Sequence, residues 1–261
     1  MFSERSLPED LASVRAEYAP ESTVLDVDRD FEILAPEAAE QLGLVVDALD
    51  PVSYPDDWLP ADAPEALARY ASGEFTVGMP GDGTVAWTRQ TDPPIVLVKA
   101  RSQGTPADFL DFLIAEAFCQ IGLGAHEHFL PFFGARYPDL DDAIPLGSTE
   151  VYQIAAALYD AWVGLNTREV FRDWESSQDR LYDAWVDSGQ RLSGRVEGLP
   201  QAVARGETSF ADATELACSA VKHDLDLPAP FSALDTQAYR EHEADYAIQW
   251  AEKTFAQLQE S

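Results

Sequence analysis

Two short stretches of the chain hold residue types that could do chemistry. The first is a helix expected over residues 106–121. On a wheel of about 100° per residue, with Phe109 at zero, Leu110, Leu113, Ile114, Ala117 and Ile121 fill one arc and Phe112 lies beyond Phe109 on the other side. Asp108 and Asp111 mark the wet side. Glu116 falls between Phe112 and Phe109, with Gln120 close by, both far from that wet side. A carboxylate there must be paired, protonated or turned toward a cleft. Glu116 is therefore the candidate catalytic base. The alternative is a structural carboxylate bonded to a backbone amide or to an arginine under the sheet.

The second stretch is His126-Glu127-His128, seven to nine residues beyond Cys119. Cys119, His126 and His128 are the candidate metal ligands. A thiolate and two imidazoles suit zinc, given a fourth ligand such as Glu116. The spacing matches no established zinc motif. The competing reading makes these residues ordinary loop and capping positions, with Glu127 or His128 opening the helical stretch before Phe132-Phe133-Gly134. No other cofactor is implied, because the chain has no P-loop, no Gly-rich dinucleotide turn and no nucleophile-elbow serine. His223 and His242 read as surface residues, and the run Asp139–Asp142 as solvated surface without EF-hand spacing.

A small sheet followed by a helix with an inward glutamate, then by a second apolar helix, resembles the zincin-like metallopeptidases. Their helix carries HExxH, two histidine ligands around a glutamate base. The matching frame here is Ala115-Glu116-Ala117-Phe118-Cys119, in which only Glu116 agrees. Ala115 cannot bind metal, Cys119 stands at the second ligand position, and the third would be Glu150 or is replaced by Gln153. The resemblance covers about residues 75–165. It implies a degenerate zincin-like scaffold that has lost its usual metal site.

These residues need elements to position them. The strongest β signal lies at about residues 75–99. There Phe75–Val77, Val85–Thr88 and Ile95–Val98 are separated by the turn Pro80–Gly83 and by Asp92-Pro93-Pro94, and they read as a small antiparallel sheet. A further β-like stretch covers 23–27. Helices are expected from a capping box at Ser6-Leu7-Pro8-Glu9 to Tyr18, over 36–48, from a Thr105 cap to about 121, over 148–174, 175–190 and 236–258, and over 209–223 from a Ser209 cap. The fold class is α+β, a small sheet packed on a larger helical body. A single domain over 1–261 is expected, with an N-terminal subdomain at 1–60 and a helical C-terminal part at 148–261 as finer divisions. The hexapeptide Leu158–Val163 recurs as Leu181–Val186. In the helix around 150–166, Gln153, Ala157, Asp160 and Gly164 form one polar or small stripe, facing either solvent or a groove with Glu116.

Composition sets the setting. The chain carries 47 Asp and Glu against 17 Lys and Arg, a net charge of −30, and only three lysines and one asparagine. Its hydrophobic fraction of 46% argues against disorder. The excess charge must coat a folded body that repels itself at low salt and is screened in molar salt. In this the chain resembles haloarchaeal cytoplasmic proteins, including that lineage's families of unknown function. Such a field repels phosphates, so neither nucleic acid nor an anionic membrane is an expected partner. No apolar run approaches the roughly 20 residues of a bilayer span, and the first residues lack a signal-peptide core. Two cysteines give no disulfide framework. The expectation is a cytoplasmic, non-enzymatic binding or scaffold protein. The alternative is a metal-dependent hydrolase using Glu116 with Cys119, His126 and His128.

Overall fold

The computed structural model describes residues 2–34, 36–78 and 83–260. It is an α+β protein whose chain divides into two units. Unit 1 comprises residues 1–55, 65–127 and 174–184, and unit 2 residues 56–64, 128–173 and 185–261.

Unit 1 is built on a four-stranded sheet. Its strands are β1 (Phe2–Glu4), β2 (Thr23–Val27), β4 (Val85–Thr88) and β6 (Ile95–Val98), in the order β1-β2-β6-β4. The short pair β3 (Ala48–Leu49) and β5 (Thr91–Asp92) forms a second ladder. All four residues of β6 are buried, as a continuous apolar run in mid-sheet must be. Its neighbours run in opposite senses. β4 is antiparallel to it, with Val85 opposite Val98, whereas β2 is parallel, with Thr23 opposite Ile95. The sheet is thus mixed and recruits the N-terminus, where the sequence indicated an antiparallel sheet within 75–99. Residues 75–77 form no strand. Val77 is buried in the core with Leu25, Leu34, Leu42, Leu97 and Ile95, and its carbonyl accepts the Leu34 N–H at 3.2 Å. Most of the expected turn at 80–83 lies outside the described residues.

Helix α4 (Ala107–Gly122) packs on β4, β6 and α1 (Glu9–Tyr18). It is buried almost without a break from Leu110 to Cys119. Where it meets α1 the backbones nearly touch: a Cβ on Gly122 would lie 2.5 Å from the Tyr18 carbonyl oxygen. Neither helix opens with the expected side-chain cap. Pro8 and Pro106 are the N-cap residues, each with an extended ψ (160° and 135°) and no side-chain bond. Proline's fixed φ pre-sets the entry without a capping oxygen. Helix α2 (Pro36–Leu42) ends earlier than expected, and α3 (Glu65–Ala71) completes the helices of this unit's first two segments.

Unit 2 is helical. It contains α5 (Phe129–Phe133), α6 (Tyr137–Ala143), α7 (Ser148–Asp173), α9 (Leu199–Ala204), α10 (Phe210–Val221) and α11 (Gln237–Glu260), while α8 (Asp179–Val196) contributes its residues from Trp185 onward. Ser209 caps α10 as expected, accepting the Asp212 N–H at 3.0 Å. The stripe on α7 runs along a helix neighbour, with Asp160 exposed at its edge. It is the seam with α10: Gln153 donates to Asp212 and Glu215 (2.9 and 2.7 Å), and a Cβ on Gly164 would come within 3.0 Å of Lys222. In both copies of the hexapeptide the leucine and alanine are buried and the aspartate is exposed. Trp185 is buried, with its indole N–H on the Lys222 carbonyl at 2.9 Å, whereas Trp162 is half-buried.

Candidate functional site

The most developed polar site in unit 1 is centred on Glu127, which ends the segment after α4. One carboxylate oxygen, Oε2, accepts the Thr88 hydroxyl at 2.7 Å and the Arg89 N–H at 2.9 Å. The other, Oε1, accepts the Tyr70 hydroxyl at 3.3 Å and the Gln90 side-chain amide. Gln90 is bonded in turn. Its amide also reaches the Thr76 carbonyl (2.9 Å), its oxygen accepts the Val52 N–H (3.3 Å), and its own N–H donates to the Thr88 hydroxyl (3.0 Å). The carboxylate therefore ties α3, the end of β4 and the 50s segment into one network. Burial pushes its carboxyl above the usual range, against the pull of these donors. Four donors occupy both oxygens, so the geometry is that of a latch, with every member satisfied.

The glutamate singled out in α4 is buried, as its place on the wheel requires, and has an interaction partner of its own. Gln120, beside it, accepts the Trp87 indole N–H at 2.6 Å and so joins α4 to β4. Arg89 lies over the Trp87 ring at 5.7 Å, and its guanidinium reaches the Ile121 carbonyl, capping the helix end. Asp111, expected on the wet side, is buried instead in the grip of Arg180 at 2.8 Å.

The three expected ligands sit in dissimilar surroundings. Cys119 is fully buried, and desolvation, with the Glu116 charge adding to it, holds its thiol well above the ordinary range. His126 is exposed. His128 is the N-cap of α5: its Nδ1 accepts the Leu130 N–H at 3.0 Å. Its ring lies among Phe129 and Tyr152, at centroid distances of 4.2 and 6.2 Å, and burial lowers its pKa to about 3. Among the described residues no group of three or more His, Cys, Asp or Glu side chains is placed to hold a metal ion.

Sequence reasoning missed two features. The sequence marks Glu127 only as a loop or capping position, and no local pattern marks the four donors that find it. His223 is buried rather than on the surface. It stacks on Trp185 at 6.1 Å with its Nε2 3.5 Å from the Ser188 hydroxyl, and burial takes its pKa to about 3. A cue existed in the small residue Gly189, where a Cβ would sit 3.0 Å from the His223 Cβ.

The fold is that of an α+β protein in which Glu127, Gln120 and His128 are bonded to neighbouring elements. By its sequence the chain belongs to a family of unknown function, DUF7089, matched over residues 1–258. No curated protein and no solved structure matches it. Among the described residues no helix is long and apolar enough to cross a membrane.

Proposed function

We propose that this is a non-enzymatic binding or scaffold protein of a salt-accumulating cytoplasm. The observation that carries the reading is the placement of the candidate ligands. Cys119 is fully buried while His126 is exposed, and His128 spends its Nδ1 on the Leu130 N–H, so among the described residues these side chains form no cluster around a common point. The saturation of Glu127 by four donors and the use of His128 as a helix cap point the same way. The cellular setting rests on the charge of −30 and on the preference for arginine over lysine.

The competing reading keeps Glu116 as the base of a hydrolase on a degenerate zincin-like scaffold, with Cys119, His126 and His128 around zinc. It is favoured by the burial of Glu116 on a helix that packs directly on the sheet. Elemental analysis separates the two. Protein purified in molar KCl is expected to hold no stoichiometric zinc and to cleave no peptide. One zinc per chain, lost in Cys119→Ser together with a hydrolytic activity, would replace the binding reading with the enzymatic one. Circular dichroism tests the setting: structure should persist at about 3 M KCl and fade at about 0.05 M, as the screening length grows. An unchanged melting temperature would remove it.

A further inference from the structure

Between Arg29 and Arg69 the sequence carries ten Asp or Glu and no Lys or Arg. The first of these acids, Asp30 and Glu32, are neutralised by Arg101 at 2.7 and 2.6 Å. Glu37, Glu40, Asp47 and Asp50 are exposed, and none of the ion pairs among the described residues engages them. Between Glu40 and Asp47 in sequence stand Leu44 and Val45, 88% and 51% exposed and adjacent to each other. Their exposure is not looseness. The Gly43, Leu44, Val45 and Val46 N–H groups all donate to carbonyls of residues 39–42, at 2.8–3.2 Å. On either side Leu42 and Val46 are buried in the core of unit 1. The chain is thus anchored at both ends of a hydrogen-bonded turn that holds two branched apolar side chains out into water.

We propose that this tip, Leu44-Val45 together with the four exposed carboxylates that flank it in sequence as an acidic collar, is a docking surface for a cationic amphipathic segment of another protein. The partner's apolar face would cover the two side chains while its Lys or Arg rim meets Glu37, Glu40, Asp47 and Asp50. Charge complementarity selects this occupant. In molar salt the screening length is about 3 Å, so only cations in direct contact with the collar contribute. Apolar burial supplies the remainder, and like-charged proteins of the same cell are rejected. A second copy of this chain fits poorly. Two acidic collars would face one another, and like charges in direct contact oppose association.

The proposal rests on the binding reading above, and its test fails separately from that one. Fluorescence anisotropy in about 2 M KCl would compare an amphipathic peptide of Lys and Leu with the same peptide carrying Ser for Leu. The proteins are the wild type and L44D/V45D. Both substitutions lie at exposed positions, and an unchanged circular dichroism spectrum checks the fold. The Lys/Leu peptide is expected to bind the wild type, and at least about tenfold more weakly to bind the variant. The Ser peptide should show the same loss with both proteins. Equal binding to wild type and variant overturns the surface but leaves a binding function standing. No binding by the wild type overturns the proposal, while zinc and hydrolysis measurements decide the function independently. A wild-type dimer in light scattering that L44D/V45D abolishes would assign the tip to a second copy and overturn the cationic partner.

Discussion

Arg180 grips Asp10 with two nitrogens at once, Nε on Oδ2 at 2.9 Å and Nη2 on Oδ1 at 3.0 Å. Its remaining nitrogen, Nη1, reaches both Asp108 and Asp111 at 2.8 Å. One planar cation therefore joins α1 and α4 to the segment 174–184 within unit 1, and it holds the Asp10 carboxyl below its usual range. Arginine's rigid fork is suited to this and lysine's point charge is not.

Arg180→Met leaves three carboxylates facing one another. We expect a loss of about 1–3 kcal/mol in molar salt, the cost of charge-assisted bonds at a partly exposed site. The loss should grow as salt is lowered and the repulsion is unscreened. Denaturant melts at two KCl concentrations measure it. An effect under about 0.5 kcal/mol at both, the size of an ordinary surface change, would mean that the cluster is surface ornament.

The Gly122–Tyr18 approach predicts a contrast between two glycines. Gly122→Ala places a methyl group 2.5 Å from a backbone oxygen, and backbone cannot swing aside. It should cost about 1–3 kcal/mol, as overpacking does. Gly194, in α8, has nothing within 4 Å of its would-be Cβ. Gly194→Ala should stabilise by about 0.5–1 kcal/mol through helix propensity alone. Chemical denaturation of both variants would show the opposite signs, and equal signs would refute the close approach.

Glu127→Gln tests the latch. The replacement turns one acceptor oxygen into an amide that must face two donors, and neither the Arg89 N–H nor the Gln90 amide can reverse its role. A loss of about 1.5–3 kcal/mol is expected, in the range for hydrogen bonds to charged groups. A variant as stable as the wild type would show that the network contributes no net stability.

His128 and His223 give the protein an acid-sensitive component. Burial takes each imidazole down to about 3, against about 6.5 in an unfolded chain. The folded state therefore refuses protons that the unfolded state accepts. The stabilisation is complete above about pH 6.5 and is lost as pH falls toward 3, by up to about 4 kcal/mol for each group. Glu127 and Asp141 act with the opposite sign, because burial raises their carboxyls. The histidine share is isolated by His128→Asn, which keeps a capping acceptor for the Leu130 N–H without a titrating ring. Its melting temperature should fall less steeply than the wild type's between pH 6.5 and 5, the window set by the unfolded histidine. Parallel slopes would show that His128 is not the group that titrates.

The parts of this protein legible in its sequence are those settled within a turn or two of chain. Ser209 caps its helix because the acceptor and the N–H it serves are three residues apart. The inward setting of Glu116 follows from a period of 3.6, and β6 announces itself as four consecutive apolar residues. The charge pattern, too, is a property of composition alone. Tertiary structure decided what depends on partners far along the chain. The sheet is mixed because β2 pairs with β6 across some seventy residues, a choice between edges that no local pattern encodes. Asp111 is buried rather than wet because Arg180 arrives to neutralise it. Glu127 became the hub of unit 1, and His223 an interior residue, through donors and rings contributed from elsewhere. Periodicity says which face of an element turns inward, but desolvating a polar group requires a partner, and the partner is supplied only by the completed fold.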